Sequence, residues 1–145
     1  MGESIFTDWE ARFLREQPVA RFATLDEMGQ PHVLPIVFVL DEHHQLFTPI
    51  DGKKKRLQDA YRLRRVRNIQ RNPVVGLVCD VYHDDWSQLA WVKLQGQADL
   101  LESGGPFKLA QQLLRAKYPQ YAQTALGDQL IIRIRPTKVT SWQAG

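Results

Sequence analysis

Most of the apolar residues of the chain fall in six segments that are rich in Val, Ile, Leu and Phe, and hairpin-length links join most of these segments. Short links suit antiparallel neighbours, whereas parallel strands need a long crossover connection. Turn-forming residues mark the first link, where we expect Gly29 to have a positive φ. The pattern predicts a mainly β protein built as a closed antiparallel barrel. The predicted strands are residues 19–25, 32–40, 45–49, 74–81, 89–101 and 129–142.

Three helices are expected beside these strands. Thr7 and Glu10 have the spacing of a capping box, which predicts a short helix that ends near Glu16. Apolar residues recur at helical spacing in residues 57–70, and Pro73 ends that helix because the residue before a proline avoids the α region. Residues 106–118 form the third predicted helix.

Length and composition predict one globular domain spanning residues 1–145, long enough to bury a single core. The one cysteine, Cys79, excludes an internal disulfide and suits a reducing cytoplasm; we expect it to be buried and inert. No apolar run reaches the roughly 20 residues that a membrane helix needs. The histidines lack zinc-ligand spacing, so no metal site is predicted.

One short stretch concentrates the positive charge. Nine of the 19 Lys and Arg residues lie between Lys53 and Arg71, where Asp59 is the only acid. The stretch therefore carries +8, and because the whole chain carries +3 the remainder carries −5. The electric field of so many positive charges favours binding of an anionic ligand. The simpler alternative is that these residues form a solvent-exposed helix face with no ligand. Walker and Rossmann glycine patterns are absent, so a phosphate-bearing cofactor would be held by side-chain charges.

Several short motifs, in this order and spacing, resemble the pyridoxamine-phosphate-oxidase-like split β-barrel superfamily of flavin and deazaflavin (coenzyme F420) enzymes. The motifs are VARFATL at 19–25, GQPHV at 29–33, LFTPID at 46–51, RVRNI at 65–69 and NPVV at 72–75. The region 80–96, with DWS at 85–87 and WVK at 91–93, is similar to the coenzyme F420-dependent subgroup. The resemblance implies a six-stranded antiparallel split β-barrel of the FMN-binding type, working as a homodimer with a cofactor in each of two interface grooves.

The resemblance also implies a cofactor site. Thr48, Pro49 and Ile50 would line the flavin or deazaflavin ring, although an ordinary strand end is the alternative for these residues. Trp86 would cover the ring from the partner subunit, unless it fills a dimer core.

The basic residues after the third strand would hold the cofactor phosphate. Arg65 occupies the position where family members commonly have the phosphate-binding lysine, and the insertion before it is longer than in many relatives. The candidate phosphate ligands are therefore Lys53, Lys55, Arg64 and Arg65.

The function implied is an oxidoreductase that transfers a hydride between bound coenzyme F420 and a small organic acceptor, with no side chain required as acid or base. FMN is the alternative cofactor, because the number of bases favours coenzyme F420 only slightly. Two other functions stay open. The barrel could bind flavin or haem without turnover, or the arginine-rich helix could bind nucleic acid. The acidic remainder of the chain and the near absence of aromatic residues between the arginines argue against nucleic acid.

Overall fold

A computed structural model describes residues 4–50, 57–122 and 130–145. Its helices are α1 (Asp8–Glu16), α2 (Leu57–Ala60), α3 (Arg64–Arg71) and α4 (Gly105–Lys117), with short 3-10 turns at Trp86–Gln88 and Pro119–Ala122. Its strands are β1 (Ala20–Leu25), β2 (Pro31–Ile36), β3 (Val39–Leu40), β4 (Leu46–Pro49), β5 (Val74–Val81), β6 (Ala90–Leu101) and β7 (Ile131–Gln143). The predicted capping box is confirmed, since Thr7 and Glu10 bond reciprocally at the start of α1. Gly29 has the expected positive φ of 77°.

The described strands form one curled antiparallel sheet in the order β2-β1-β5-β6-β7-β4-β3. The mainly β split-barrel prediction is confirmed, but the described strands form a half-barrel with β2 and β3 at its edges and not the closed barrel expected from the short links. The inner face holds the main core, which includes Phe22, Leu94 and Ile132. A second, smaller core joins α4 to the other side of the sheet through Phe107 and Phe47.

The described residues contain seven strands, and the prediction of six is wrong because residues 32–40 form two strands. β2 pairs with β1 and β3 pairs with β4, so the two halves lie at opposite edges of the sheet. Val37 and Phe38 carry the chain from one edge to the other. The Phe38 N–H donates to Tyr118 Oη at 3.1 Å instead of joining a strand ladder. A bond from a residue 80 positions away thus divides what sequence alone reads as one strand.

The predicted helix over residues 57–70 is likewise divided, into α2 and α3. Residues 61–63 form a turn between them, and Leu63 has extended backbone angles (φ −64°, ψ 141°) as the N-cap of α3. Tyr61 and Leu63 pack against the main core as partly buried side chains. Core packing of these two residues accounts for a break where the sequence has neither Gly nor Pro.

The long β6–β7 ladder contains one irregularity. Gln95 pairs with Lys138 and Gly96 pairs with Pro136, so Thr137 is an extra residue on β7. A Cβ placed on Gly96 would lie 2.5 Å from the Arg135 carbonyl oxygen. The close approach of the two backbones at this bulge therefore requires glycine.

A tight turn between β3 and β4 holds the start of the chain. His44 in this turn has a φ of 62°, which is uncommon for a residue other than glycine. Its Nδ1 accepts the backbone N–H of Phe6 at 3.1 Å, and its ring lies 5.2 Å from the Phe6 ring. Burial and the nearby Arg15 guanidinium lower the pKa of His44, while Asp41 and Asp8 act in the opposite direction. Neutral His44 therefore joins the segment before α1 to this turn.

We expect this contact to make stability depend on pH. Because the folded-state pKa is below the unfolded value of about 6.5, the stabilising effect is complete above that pH and is lost as pH falls through the folded-state pKa. Loss of the Phe6 bond would cost about 1 kcal/mol, or about 2–4 °C in Tm. The measurement is Tm between pH 7 and pH 4 for the wild type and for His44→Asn, which tolerates a positive φ but does not titrate. If Tm falls with pH in the same way for the wild type and for His44→Asn, the proposed role of the His44–Phe6 contact is contradicted.

No helix in the described part of the chain is long and apolar enough to cross a membrane.

Candidate cofactor site

The basic helix α3 is fixed to the sheet by its apolar side. Val66 and Ile69 are buried in the main core. Between them, Asn68 donates from Nδ2 to Thr24 Oγ1 of β1 at 2.9 Å, and both residues are almost fully buried. A buried polar pair of this kind fixes the helix in one position because either partner alone would be unsatisfied.

We predict that Asn68→Ala lowers the free energy of unfolding by about 2 kcal/mol, because the Thr24 hydroxyl loses its partner and a small cavity opens. Urea denaturation provides the measurement. The double variant Thr24→Val/Asn68→Leu should recover part of the loss, since two apolar groups replace both polar partners. If the double variant loses as much free energy of unfolding as the two single variants lose together, the Asn68–Thr24 hydrogen bond does not have this stabilising role.

The arginines of α3 divide into three environments. Arg64 and Arg67 are exposed, and neither forms an ion pair with the described residues. Arg71 pairs with Glu27 at 3.1 Å. Arg65 is half-buried. The ion pair with Glu27 therefore lies at the end of α3 opposite Arg64.

The predicted phosphate ligands lie at or before the start of α3. Arg64 and Arg65 occupy its first turn, and the N-cap Leu63 gives no side-chain hydrogen bond to the helix N–H groups. The positive end of the helix dipole and two arginine residues thus belong to the same turn, which suits an anion. Lys53 and Lys55 lie outside the described residues.

The predicted ring-lining residues belong to a buried strand. Thr48 and Pro49 pair with Ile132 and Ile131 of β7, and Thr48 is only 1% exposed. Ile50, equally buried, donates its backbone N–H to the Leu130 carbonyl at 3.1 Å. Their contact with a ring stays a prediction, because neighbouring residues 51–56 lie outside the described part.

Trp86 stands on a short, strongly hydrogen-bonded loop and is 69% exposed. Asp85 precedes it and accepts hydrogen bonds from the Ser87 hydroxyl at 2.7 Å and the Ser87 N–H at 3.0 Å. These bonds lower the pKa of the exposed Asp85 carboxyl. The loop therefore presents a large aromatic side chain to solvent on a defined backbone. Among the described residues nothing covers this indole, so its role at a ring remains a prediction.

Sequence reasoning missed a second cationic surface on the outer face of the sheet. A groove of about 440 Å³ lies across β1, β2, β5, β6 and β7. Arg21, Lys93 and Lys138 surround it, Ala23 and Gly76 are among the small residues that line it, and none of the three cations forms an ion pair with the described residues. The sequence feature that could have revealed this surface is the period-2 alternation of the strands, which places Arg21, Lys93 and Lys138 on the outward face of the sheet.

Asp99 of β6 forms ion pairs with Arg133 and Arg135 of β7, beside β4. The Arg133 guanidinium donates to both Asp99 carboxylate oxygens, at 3.0 and 2.6 Å. Burial alone would raise the pKa of Asp99, but these bonds and the positive charges of Arg133 and Arg135 outweigh it and hold the pKa below the usual value. The Asp99–Arg133 pair stabilises β7, the strand next to β4, and its two side chains are engaged with each other and not available to bind a ligand.

Cys79 agrees with the prediction for it: the side chain is fully buried, and burial raises the pKa of the thiol to about 12. No cluster of three or more potential metal-ligating side chains occurs within residues 4–50, 57–122 and 130–145.

Comparison with solved structures gives the fold. A conserved hypothetical protein of Mycobacterium tuberculosis superimposes with a TM-score of 0.75 at 17% identity, over 99% of this chain and 89% of that one. A FAD-binding protein of Mesorhizobium loti gives a TM-score of 0.70 at 18% identity, over 97% and 96% of the two chains. Identities this low indicate a shared architecture and no more.

Sequence comparison identifies the family. This chain is 32% identical over 138 residues to the 5a,11a-dehydrotetracycline/5a,11a-dehydrooxytetracycline reductase of Streptomyces rimosus, covering 94% of this chain and 82% of the relative. Residues 6–143 match the pyridoxamine 5'-phosphate oxidase family. That match spans nearly the whole chain, so the protein belongs to the pyridoxamine 5'-phosphate oxidase family.

Proposed function

We propose that the protein is an oxidoreductase that transfers a hydride between a bound deazaflavin or flavin and a small organic acceptor. The observation that carries the proposal is the likeness to the Streptomyces rimosus reductase over 94% of the chain, at 32% identity. Fold alone would not support it, because one fold hosts many functions.

The chain's own residues fit an anionic cofactor. Exposed Arg64 and half-buried Arg65 lie at the uncapped start of α3, and exposed Arg67 lies one turn further along. We propose that Arg64 or Arg65, together with Lys53 or Lys55, holds the phosphate by charge-assisted hydrogen bonds. Coenzyme F420 is the proposed cofactor, since its phosphodiester and glutamate tail need more positive surface than FMN does; FMN is the alternative. When bound, the ring supplies the hydride chemistry.

The acceptor is proposed from the relative's name. A dehydrotetracycline reductase acts on a compound that lacks two hydrogens relative to its product, with unsaturation named at positions 5a and 11a. We propose an acceptor of the same chemical class here, a conjugated carbon–carbon double bond in a small organic molecule. Such an acceptor needs no catalytic side chain, because solvent can supply the proton.

We further propose that the protein works as a homodimer, with Trp86 of the partner subunit over the ring. The outer face of β1, β2, β5, β6 and β7 supports this, because no described helix covers it and large apolar side chains stay exposed there. Val33 is 61% exposed, Val74 47% and Trp142 45%. Several large apolar side chains exposed on one sheet face, beside the cations of the groove, suit an interface.

Parallel fluorescence titrations with coenzyme F420 and with FMN test the proposal. We expect saturable binding of coenzyme F420 at one molecule per chain, followed by its oxidation when a conjugated enone is added to the reduced cofactor. Tight FMN binding instead would assign the alternative cofactor. Binding of haem alone, binding of either cofactor without turnover of any acceptor, or steeply salt-dependent binding of unrelated oligonucleotides alone would contradict the oxidoreductase proposal.

A further inference from the structure

The outer groove combines a concave shape with unpaired positive charge. At its centre Ala23 of β1 pairs with Gly76 of β5, and the small size of these two residues leaves room between the larger side chains around them. Arg21, Lys93 and Lys138 surround this centre and are all exposed. Because no ion pair within the described residues includes any of them, the groove is suited to a ligand or partner that brings negative charge.

The β5–β6 loop (residues 82–89) brings negative charge on an ordered backbone. Asp84 and Asp85 are both exposed, and neither forms an ion pair with the described residues. The Asp85 N–H donates to His83 Nδ1 at 2.9 Å, and the Asp85 carboxylate accepts the two bonds from Ser87. The loop therefore has its shape before it meets a partner, which lowers the entropy cost of an interaction.

We propose that the outer groove of each subunit binds the β5–β6 loop of a second copy of this chain. The partner subunit's Asp84 and the partner subunit's Asp85 lie against the three cations of the groove. This contact rests on the proposed homodimer and specifies which surfaces of the two subunits meet. The loop also carries Trp86, so the contact positions at the interface the residue that we propose covers the ring.

Twofold symmetry places the axis of such a dimer at one position on the sheet. In a symmetric dimer each contact occurs twice, so the axis passes midway between the groove and the loop of one subunit. The groove is centred on residues 76–78 of β5, and Asp84 and Asp85 lie about 7 residues further along. At about 3.3 Å per residue, the axis passes about 12 Å from each, close to Asp80.

Two tryptophans lie where this axis passes. Trp91 pairs with Asp80 on one side and with Trp142 on the other, and residues paired across strands project from the same face of a sheet. The Lys93 Nζ lies 5.5 Å from the centre of the Trp91 ring, so this is the face of the groove. Trp142 is 45% exposed. The contact would thus bury aromatic side chains at the centre of the interface and place ion pairs around them, as is usual in protein–protein interfaces.

Charge reversal followed by mixing tests the contact. Arg21→Glu/Lys93→Glu makes the groove negative, and Asp84→Lys/Asp85→Lys makes the loop positive. Like charges then meet in each homodimer, so we expect the dimer Kd of either variant to rise about 100-fold or more. In a mixture each subunit keeps one wild-type surface, and every groove meets a loop of opposite charge. We therefore expect 1:1 heterodimers, measured by analytical ultracentrifugation and by native mass spectrometry, which separates the subunits by mass.

Lys108→Glu/Arg115→Glu is the matched control, because it reverses two exposed charges on α4. We expect its dimer Kd to stay within about 3-fold of the wild-type value. Circular dichroism checks the fold of each variant, and the neutral Lys93→Gln should weaken the dimer about 10-fold if a reversal variant does not fold.

Three results would overturn the contact: variants that dimerise as tightly as the wild type, folded variants that form no heterodimer, or an equal loss in the control. A monomeric wild type would overturn the contact together with the proposed homodimer. The oligomeric state is measured without cofactor, so failure of the contact and failure of the oxidoreductase proposal are distinguishable.

Discussion

Gly96→Ala is expected to destabilise the protein by about 3 kcal/mol or more, which lowers Tm by about 6–12 °C. The added Cβ would lie 2.5 Å from the Arg135 carbonyl oxygen and 3.1 Å from Pro136 Cα, and both are backbone atoms that cannot rotate away. Relief requires the β6–β7 ladder to separate at its bulge, beside the Asp99–Arg133 pair. Thermal unfolding followed by circular dichroism provides the measurement.

Gly76→Ala is the matched control, because Gly76 also lies in a paired strand of the same sheet. A Cβ there would lie 3.8 Å from the Leu94 carbonyl oxygen and 4.0 Å from Ala23 Cβ, which are ordinary contacts. We expect a change within about 1 kcal/mol for this variant. Equal effects at the two positions would show that loss of glycine, and not the close backbone approach at the bulge, sets the cost.

Loss of one predicted phosphate ligand is expected to weaken cofactor binding by about 10- to 100-fold. Lys55→Ala and Arg65→Ala each remove a charge-assisted contact, and such contacts contribute about 1.5–3 kcal/mol. Titration of coenzyme F420 and FMN into each variant and into the double variant measures the loss. Thermal unfolding of the same samples separates a binding effect from damage to the half-buried Arg65 position.

Arg67→Ala provides the comparison on the same helix. Arg67 is exposed, and its removal changes the net charge as much as the other variants do. We expect no more than about a 3-fold loss of affinity, since general electrostatic attraction is screened by salt. Unchanged affinity in both single variants and the double variant would refute the assignment of Lys55 and Arg65.

Sequence could predict those helices and strands that are determined by interactions between residues close together in the chain. The capping box of Thr7 and Glu10 is local, and α1 begins where that box requires. The strongly apolar run of residues 74–81 likewise coincides with the observed bounds of β5. The division of residues 32–40 depends instead on Tyr118, far along the chain, so no local pattern could show it.

In the candidate site too, features set by neighbouring residues could be predicted, whereas those set by distant residues could not. Charge density directed attention to residues 53–71, and the family resemblance then selected Arg64 and Arg65, which lie at the start of α3. The outer groove escaped notice because Arg21, Lys93 and Lys138 come from three strands and meet only when the sheet forms. Similarly, the burial of Thr48 is a consequence of pairing with β7, a strand more than 80 residues away.

The sheet order has a consequence for protein synthesis. Among the described strands, β7 alone connects the β3–β4 hairpin to the rest of the sheet, and the ribosome makes β7 more than 80 residues after β4. Until residues 131–143 leave the exit tunnel, β4 has no long strand to pair with, and its apolar side chains stay accessible to chaperones. The strand that contains Thr48 and Pro49 therefore completes its pairing only after β7 has been made, late in the order of synthesis.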